Sequence, residues 1–519
     1  MTVSRVCPPP LSRWRQLGCI GAALLARAAI AGALPPSALP SALPDSVQQA
    51  LQAAEVPPTS VSMLVIPVDG GLPRLSHQAD TVRSVASVMK LFTTGVALQA
   101  LGPAFTWHTQ AALGGRLRPN GTLDGPLLIR GDGDPSLTPE RLALMMTRWR
   151  AAGLRDIHGD MLLDRSAFVL PDHDPSAFDE QPLKPHNAGP DALLVSYQAV
   201  TLRLRPDVAR PGWAQVSMEP ELSGVRLDAK VPLDEQAACR DWRESMTLDL
   251  RPDPKVNHGW TMTLKGRYPR ACAERDWPVH WPGGAHQDHT ERVLDMAWRR
   301  AGGVLKGQIH GLSTVGGWPA NVAPWISWES PPLANVVRDI NKYSNNVMAR
   351  QLFLTLGREA FVATDTAPIG PMGPGTLEGA RIRVARQVVQ ATTDAANGYS
   401  PCAADALVLD NGSGLSRTER ASAACVGRWL QALWASPVMP ELLASLPVSG
   451  VDGTARKMNT VAGRAHIKTG SLDGTIALAG VALGDSGHRY VVVGVVNDAK
   501  ASAARPALEA LLNWTVHDR

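Results

Sequence analysis

The sequence predicts an α+β fold: an antiparallel sheet covered by helices and interrupted by large β-rich insertions. Three observations carry this. Near the C-terminus, the apolar runs Thr475–Leu483 and Tyr490–Asn497 flank the turn Gly484-Asp485-Ser486-Gly487, and a helical pattern starts near Ser502. That is a hairpin with a covering helix. Helical patterning also marks the chain before residue 104 and from residue 333, whereas short strand-like runs separated by turns fill the middle.

The elements follow in chain order. Residues 34–44, rich in Pro, Ala and Leu, form a linker by composition. A helix starts at the Asp45/Ser46 cap and runs to about Glu55. Ser60–Val68 is a strand, closed by Asp69-Gly70-Gly71. Val85 to about Leu101 is a helix stopped by Gly102-Pro103. From about 104 to 325 the strand-like runs are Gly121–Arg130, Asp160–Asp164, Ala199–Arg205, Ser245–Leu250 and Trp260–Leu264. Leu333, Val336, Val337 and Ile340 then share one helix face, and Val347, Met348, Leu352 and Leu356 mark a second helix. Ala465–Thr469 is a strand that precedes the C-terminal hairpin.

Composition narrows the function classes. The chain has 519 residues, 45% of them hydrophobic and 19% charged, which suits several packed domains and excludes a chain disordered throughout. No uncharged apolar run reaches the ~18 residues of a membrane-spanning helix. The net charge of +4 is matched by Arg5, Arg13, Arg15 and Arg27 in residues 1–33, a stretch without acids. The rest is near neutral, so nothing points to nucleic acid. Residues 1–33 read as a secretory signal peptide: arginines, then Cys19–Ala26, then small residues with cleavage sites after Ala31 or Ala33, although Arg27 is a defect in the pattern. Its removal leaves Cys239, Cys272, Cys402 and Cys425. An even count in an exported chain suggests two disulfides, and the local pairs 239–272 and 402–425 are favoured because each closes a loop within one region. No Cys-x-x-Cys is present, and His286-x-x-His289 lies in a Gly/Pro-rich loop without acidic or thiol partners, so no metal or cofactor is expected.

Three short motifs carry the chemistry. Lysine is scarce, with 10 lysines among 51 basic residues, so a lysine inside an apolar segment is informative. Ser87-Val88-Met89-Lys90 puts a hydroxyl and an amine on one helix face. Ser344-Asn345-Asn346 sits between two helices. Lys468-Thr469-Gly470 ends a strand with a cation, a hydroxyl and a residue without a side chain. Singly, each has a bland reading: Ser87 caps a helix, Asn346 is an N-cap, and Lys468 guards an exposed sheet edge. Together, and in this order, they form the set of penicillin-binding proteins and class A β-lactamases.

The chain resembles the low-molecular-mass class C penicillin-binding proteins, the D-alanyl-D-alanine carboxypeptidase/endopeptidase family. Ser87 and Ser344 stand 257 residues apart, far more than a β-lactamase needs, and this family carries large inserted domains there. Gly131–Leu137, Gly159–Ser166, Leu193–Val200 and Asp410–Arg417 are further family-like segments. Asn345 departs from the aspartate common at that position.

The resemblance implies a penicillin-recognising serine transferase core (DD-peptidase/β-lactamase-like) in residues 45–103 and 326–519. It implies a first inserted domain in 104–200 and 300–325, and a second, β-rich one in 201–299. It implies hydrolysis of peptidoglycan peptides ending in D-Ala-D-Ala and of their cross-links, acylation by β-lactam inhibitors, and a periplasmic location; a homodimer stays open. In this reading Ser87 is the nucleophile, Lys90 its base and Ser344 the donor to the leaving amine. Asn346 holds the substrate amide. Lys468 and Thr469 bind the terminal carboxylate, Gly470 lets the substrate approach, and the N–H groups of Ser87 and Ser471 bind the oxyanion. Asp164 would meet the free amine of a diaminopimelate side chain, and Ser413-Gly414 borders the site. Lys90 must be neutral to act, which burial and Lys468 would achieve. No glutamate is seen to replace it as base. The competing readings are a β-lactamase-like hydrolase, which needs a water-activating group, and a catalytically silent cell-wall-binding module.

Overall fold

The structure, a computed structural model, describes residues 41–518 except 257, 282–287, 313–317, 319–321 and 359–372. The leader and His286 lie outside the described residues.

The core formed by the N- and C-terminal parts of the chain is built on a five-stranded antiparallel sheet. Its strands are β1 (Val61–Pro67), β2 (Leu75–His77), β3 (Ala465–Leu472), β4 (Thr475–Leu483) and β5 (Arg489–Asn497), in the order β2-β1-β5-β4-β3. The hairpin expected from the glycine turn is β4–β5, with Leu483 opposite Arg489. Both strands are buried along most of their length rather than alternating, because helices cover both faces. On one face, α1 (Asp45–Ala53) and α2 (Arg505–Val516) pack over Met63, Ile467, Leu478 and Val492. The other face meets a larger cluster from α3 (Lys90–Leu101), α4 (Leu333–Tyr343), α5 (Asn346–Leu356), α6 (Leu377–Thr392) and α7 (Ala423–Trp434).

Helix α3 is apolar all round and buried from Lys90 to Leu98, as a helix sealed among others must be. Gly95 lets it lie against α7: a Cβ there would stand 2.6 Å from Leu433 and 2.9 Å from Trp429. The expected single helix over 85–101 is divided. Residues Ala86–Met89 form a 3₁₀ turn and the α-helix begins at Lys90.

The insertions place extra walls beside this core. A mixed five-stranded sheet has the order Ile309–Gly311, Met161–Asp164, Leu127–Arg130, His108–Leu113, Ile326–Glu329. The last strand pairs with His108–Leu113, which joins Ile326–Glu329 to the sheet of the middle segment. The run Gly121–Arg130 is two strands in two different sheets. Helix Asp288–Arg300 packs on helix Pro139–Ala151, with the Trp149 and Trp298 rings 6.4 Å apart; it was expected in the second insertion. One hydrophobic cluster runs through both insertions, from Ile129 and Trp149 to Leu202 and Met262.

Both local cystines form, Cys239–Cys272 and Cys402–Cys425. The second joins the N-terminus of α7 to the segment after α6, and its ends are 23 residues apart in sequence. Closing a loop of that size removes unfolded-state freedom equivalent to ~3 kcal/mol. The double substitution Cys402→Ala/Cys425→Ala is therefore expected to lower the guanidinium unfolding midpoint of the catalytic part; an unchanged midpoint would contradict this.

Candidate active site

Three chain segments converge at one end of the sheet: the 3₁₀ turn before α3, the loop between α4 and α5, and the edge strand β3. Ser87 and Lys90 meet across that turn, with Nζ 3.1 Å from Ser87 Oγ. Lys90 Nζ also reaches Asn346 Oδ1 at 2.5 Å and the carbonyl oxygen of Ser413. From β3, Lys468 Nζ donates to Ser344 Oγ at 2.9 Å and to the Thr469 carbonyl at 2.8 Å. The Thr469 hydroxyl donates to Thr454 Oγ1 at 2.7 Å. Seven of the expected residues thus fall together: Ser87, Lys90, Ser344, Asn346, Lys468, Thr469 and Gly470.

The local backbone explains the convergence. Ser344 ends α4 in the left-handed region, at φ 57°, a conformation that is uncommon for a residue with a Cβ. It turns the chain so that Asn345 can cap α5, accepting from the Met348 amide at 3.1 Å. Asparagine and aspartate cap about equally well, so the departure at Asn345 keeps a working cap. The N-cap role falls to Asn345 and leaves the Asn346 side chain free to meet Lys90. Ala86, just before Ser87, also has positive φ (46°). Gly470 sits directly against this turn. A Cβ there would stand 2.7 Å from the Val85 carbonyl oxygen and 3.0 Å from the Ser87 nitrogen.

Lys90 and Lys468 are fully buried, at 0% exposure each. Burial pushes the Lys90 amine well below its ordinary range; the positive charges of Lys468 and Arg350 push the same way, and the charge of Glu419 opposes them. Burial takes Lys468 down to about 7. Desolvation, ahead of the field of Lys468, is thus the first cause of the shift at Lys90.

A neutral amine has two N–H donors and one lone pair. Asn346 Oδ1 and the Ser413 carbonyl can only accept, so they take both donors. The lone pair is then left facing the Ser87 hydroxyl. In that protonation state the amine can accept the proton of the hydroxyl.

Glu419 is the residue that sequence reasoning missed. It is 2% exposed and close enough to act electrostatically on Lys90. It is not a rival base, because its oxygens accept backbone N–H groups. Oε1 takes those of Asp410 (3.1 Å), Asn411 (3.0 Å) and Gly412 (2.6 Å), and Oε2 takes that of Gly414 (2.7 Å). In sequence it stands in Arg417-Thr418-Glu419-Arg420, which reads as a solvated charge run.

Asp164 does not join the cluster. It is 2% exposed, and its two oxygens accept the amides of Ser166 (2.9 Å) and Trp318 (2.8 Å). Those bonds join the end of strand Met161–Asp164 to Trp318, and no residue of the Ser87 cluster is among its described hydrogen-bond partners. His289, the described half of the histidine pair, lies buried in helix Asp288–Arg300 instead of in a solvated loop. Among the described residues no cluster of His, Cys, Asp or Glu suits a metal.

A cavity of about 570 Å³ opens beside Ser344, Asn345 and Asn346. Tyr343 and Val347 line its catalytic side, and Glu140, His186 and Tyr197 line it from the first insertion. Ser196, Tyr197 and Gln198 all have positive φ, at 49°, 55° and 51°, in a segment already noted as family-like. The insertion therefore forms one wall of the cleft.

The chain is similar to known proteins over most of its length. It is 27% identical over 459 residues to D-alanyl-D-alanine carboxypeptidase of Actinomadura sp. (strain R39), which covers 82% of this chain and 75% of that one. It is 23% identical over 438 residues to D-alanyl-D-alanine carboxypeptidase DacB of Haemophilus influenzae, covering 81% and 82%. Its fold matches the crystal structure of penicillin binding protein 4 (dacB) from Haemophilus influenzae with a TM-score of 0.67 at 19% identity, over 90% of this chain and 98% of that one. The sequence profile of one family spans residues 43–517, and by that match the chain belongs to the D-Ala-D-Ala carboxypeptidase 3 (S13) family.

Proposed function

We propose that this serine D-Ala-D-Ala carboxypeptidase works through an acyl-enzyme on Ser87, with Lys90 as general base. The contact that carries this reading is the Lys90 amine 3.1 Å from Ser87 Oγ, with both its donor directions taken by Asn346 and Ser413. Ser87 Oγ attacks the carbonyl carbon of the penultimate D-alanine as its proton passes to Lys90 Nζ. The N–H groups of Ser87 and Ser471 receive the oxyanion. As the C–N bond breaks, Ser344 gives its proton to the leaving nitrogen and is resupplied from the lysines, since its Oγ already holds a hydrogen bond from Lys468. Water then cleaves the ester and restores Ser87.

Lys468 and Thr469 stand on the free edge of the sheet, where a terminal carboxylate meets a cation and a hydroxyl. When the leaving amine belongs to a neighbouring stem peptide, the same acylation cuts a cross-link, so endopeptidase activity follows from the same site. Export to the periplasm agrees with the two cystines, which persist in oxidising compartments, and with the absence, among the described residues, of a helix long and apolar enough to cross a membrane.

A β-lactamase-like outcome needs a group that activates water on the acyl-enzyme. The buried glutamate near Lys90 spends its oxygens on four backbone amides, which argues against that reading and against fast deacylation.

Fluorescent penicillin is expected to label the protein stably, and a peptide ending in D-Ala-D-Ala to release D-alanine. Ser87→Ala should abolish both; labelling that persists in it would place the nucleophile elsewhere, and rapid penicillin turnover by the wild type would favour a β-lactamase. Gly470→Ala should slow acylation by about a hundredfold, since its Cβ meets backbone at 2.7 Å; an unchanged rate would show that the turn can yield. The pH profile of kcat/KM should be bell-shaped. Activity is lost as pH falls through the depressed value of Lys90, which must be neutral, and again as pH rises past about 7, where Lys468 loses the charge that binds carboxylate. A profile still rising at pH 9 would contradict the second assignment.

A further inference from the structure

Lys90 depends on the Ser413 carbonyl, and nothing in the motif set explains why that carbonyl points inward. Side chains of the 410–414 segment tie it in part: Asn411 Oδ1 accepts the Ser413 amide at 3.0 Å and its hydroxyl at 2.6 Å, and Asp410 pairs with Arg381 at 2.7 Å, but none of them accepts the amides of Asp410, Asn411, Gly412 and Gly414. Gly412 and Gly414 both have positive φ, at 72° and 79°. A Cβ on Gly414 would lie 2.1 Å from the Ala86 carbonyl oxygen and 2.8 Å from Ser87 Cα, so the segment presses directly on the nucleophile's turn. Left alone, such a loop exposes successive N–H groups that need an acceptor. Glu419 supplies it. One carboxylate gathers the amides of Asp410, Asn411, Gly412 and Gly414. With the N–H groups drawn to Glu419, the intervening carbonyls turn the other way: Gly412 O accepts from Thr93 Oγ1 at 2.7 Å, and Ser413 O accepts from Lys90 Nζ. The cystine Cys402–Cys425 closes the chain around this segment.

We infer that Glu419 is a positioning residue for acyl transfer: by gathering four amides it aims the Ser413 carbonyl at Lys90 and so directs the lone pair of the amine at Ser87. The inference rests on Lys90 being the base. Burial pushes the Glu419 carboxyl up and the Asp410 charge adds to this, while the amides it accepts hold it down; among the described hydrogen bonds its oxygens meet only N–H donors, which suit the ionised carboxylate, because a protonated oxygen would face an N–H group. Glu419 acts through geometry and through charge, and the two can be separated. Its negative charge favours the protonated form of Lys90, while Lys468 on β3 and Arg350 on α5 disfavour it. Asp410 acts on Glu419 itself, pushing its carboxyl up, and it favours the charged form of Arg350.

The test compares acylation by fluorescent penicillin, per active site, in wild type, Glu419→Gln and Glu419→Asp across pH. Glu419→Gln removes the charge and turns one acceptor into a donor. Its plateau rate should fall between ten- and a hundredfold, and its acidic limb should move to lower pH, since Lys90 loses a favourable negative neighbour. Glu419→Asp keeps the charge on a shorter arm. Its plateau should also fall, with the acidic limb unmoved. A glutamate that only holds the fold together would lower the number of active sites and leave the rate per site and the limb unchanged; that result overturns the inference. So does the wild-type rate in Glu419→Gln, and so does failure of both variants to fold. If the wild type itself is not acylated, or Ser87→Ala still is, the acyl-enzyme reading fails first.

Discussion

The burial of two amines sets the terms for everything else at this site. Lys90 and Lys468 have no exposed surface, and a buried ammonium is costly unless it is paired or gives up its proton. No carboxylate oxygen is hydrogen-bonded to either amine among the described contacts. Each lysine is offered hydroxyls, an amide oxygen and backbone carbonyls instead. Such partners satisfy N–H groups without stabilising a full charge as a carboxylate would. The pocket therefore loosens the third proton of both amines: in the proposed mechanism Lys90 is the neutral one that deprotonates Ser87, while Lys468, lowered to about 7, is the one that carries charge below that pH.

The scaffold supplies this pocket by forcing three backbones together. Positive φ at Ala86 and Ser344 bends the chain where the nucleophile and the proton donor must sit. Glycines at 414 and 470 let two segments touch the Ser87 turn at distances that a side chain would forbid. Strain at such points persists only where the surroundings over-determine it. Here the surroundings are a helix buried on every side, an antiparallel sheet covered on both faces, and a glutamate that fixes the loop between them.

Much of this was legible in the sequence. The three-residue spacing of Ser87 and Lys90 puts them together in any helical turn, and the order of the three motifs implied their meeting. The β4–β5 hairpin was readable because its glycine turn is unambiguous. What escaped detection did so for physical reasons. The run from Val85 to Leu101 is mostly apolar and its polar residues are scattered over all faces, so no periodicity marks where the 3₁₀ turn yields to the α-helix at Lys90. Glu419 lies between two arginines and reads as surface; only tertiary packing turns it inward. Asp164 was expected at the cleft only through the family resemblance, and no local pattern shows that its carboxylate accepts the Trp318 amide, 154 residues away. Strand Ile326–Glu329 completes a sheet begun at His108, a pairing that no local pattern announces.

The central claim is that Lys90 carries no proton at neutral pH, and lysine side-chain NMR tests it directly. The chain has only ten lysines, so labelled ε-carbon signals can be followed through a pH titration and the Lys90 signal assigned with Lys90→Arg. Lys90 is expected to show the chemical shift of a free amine at pH 7, apart from the ammonium signals of the exposed lysines. A Lys90 signal that titrates with the exposed lysines would contradict it.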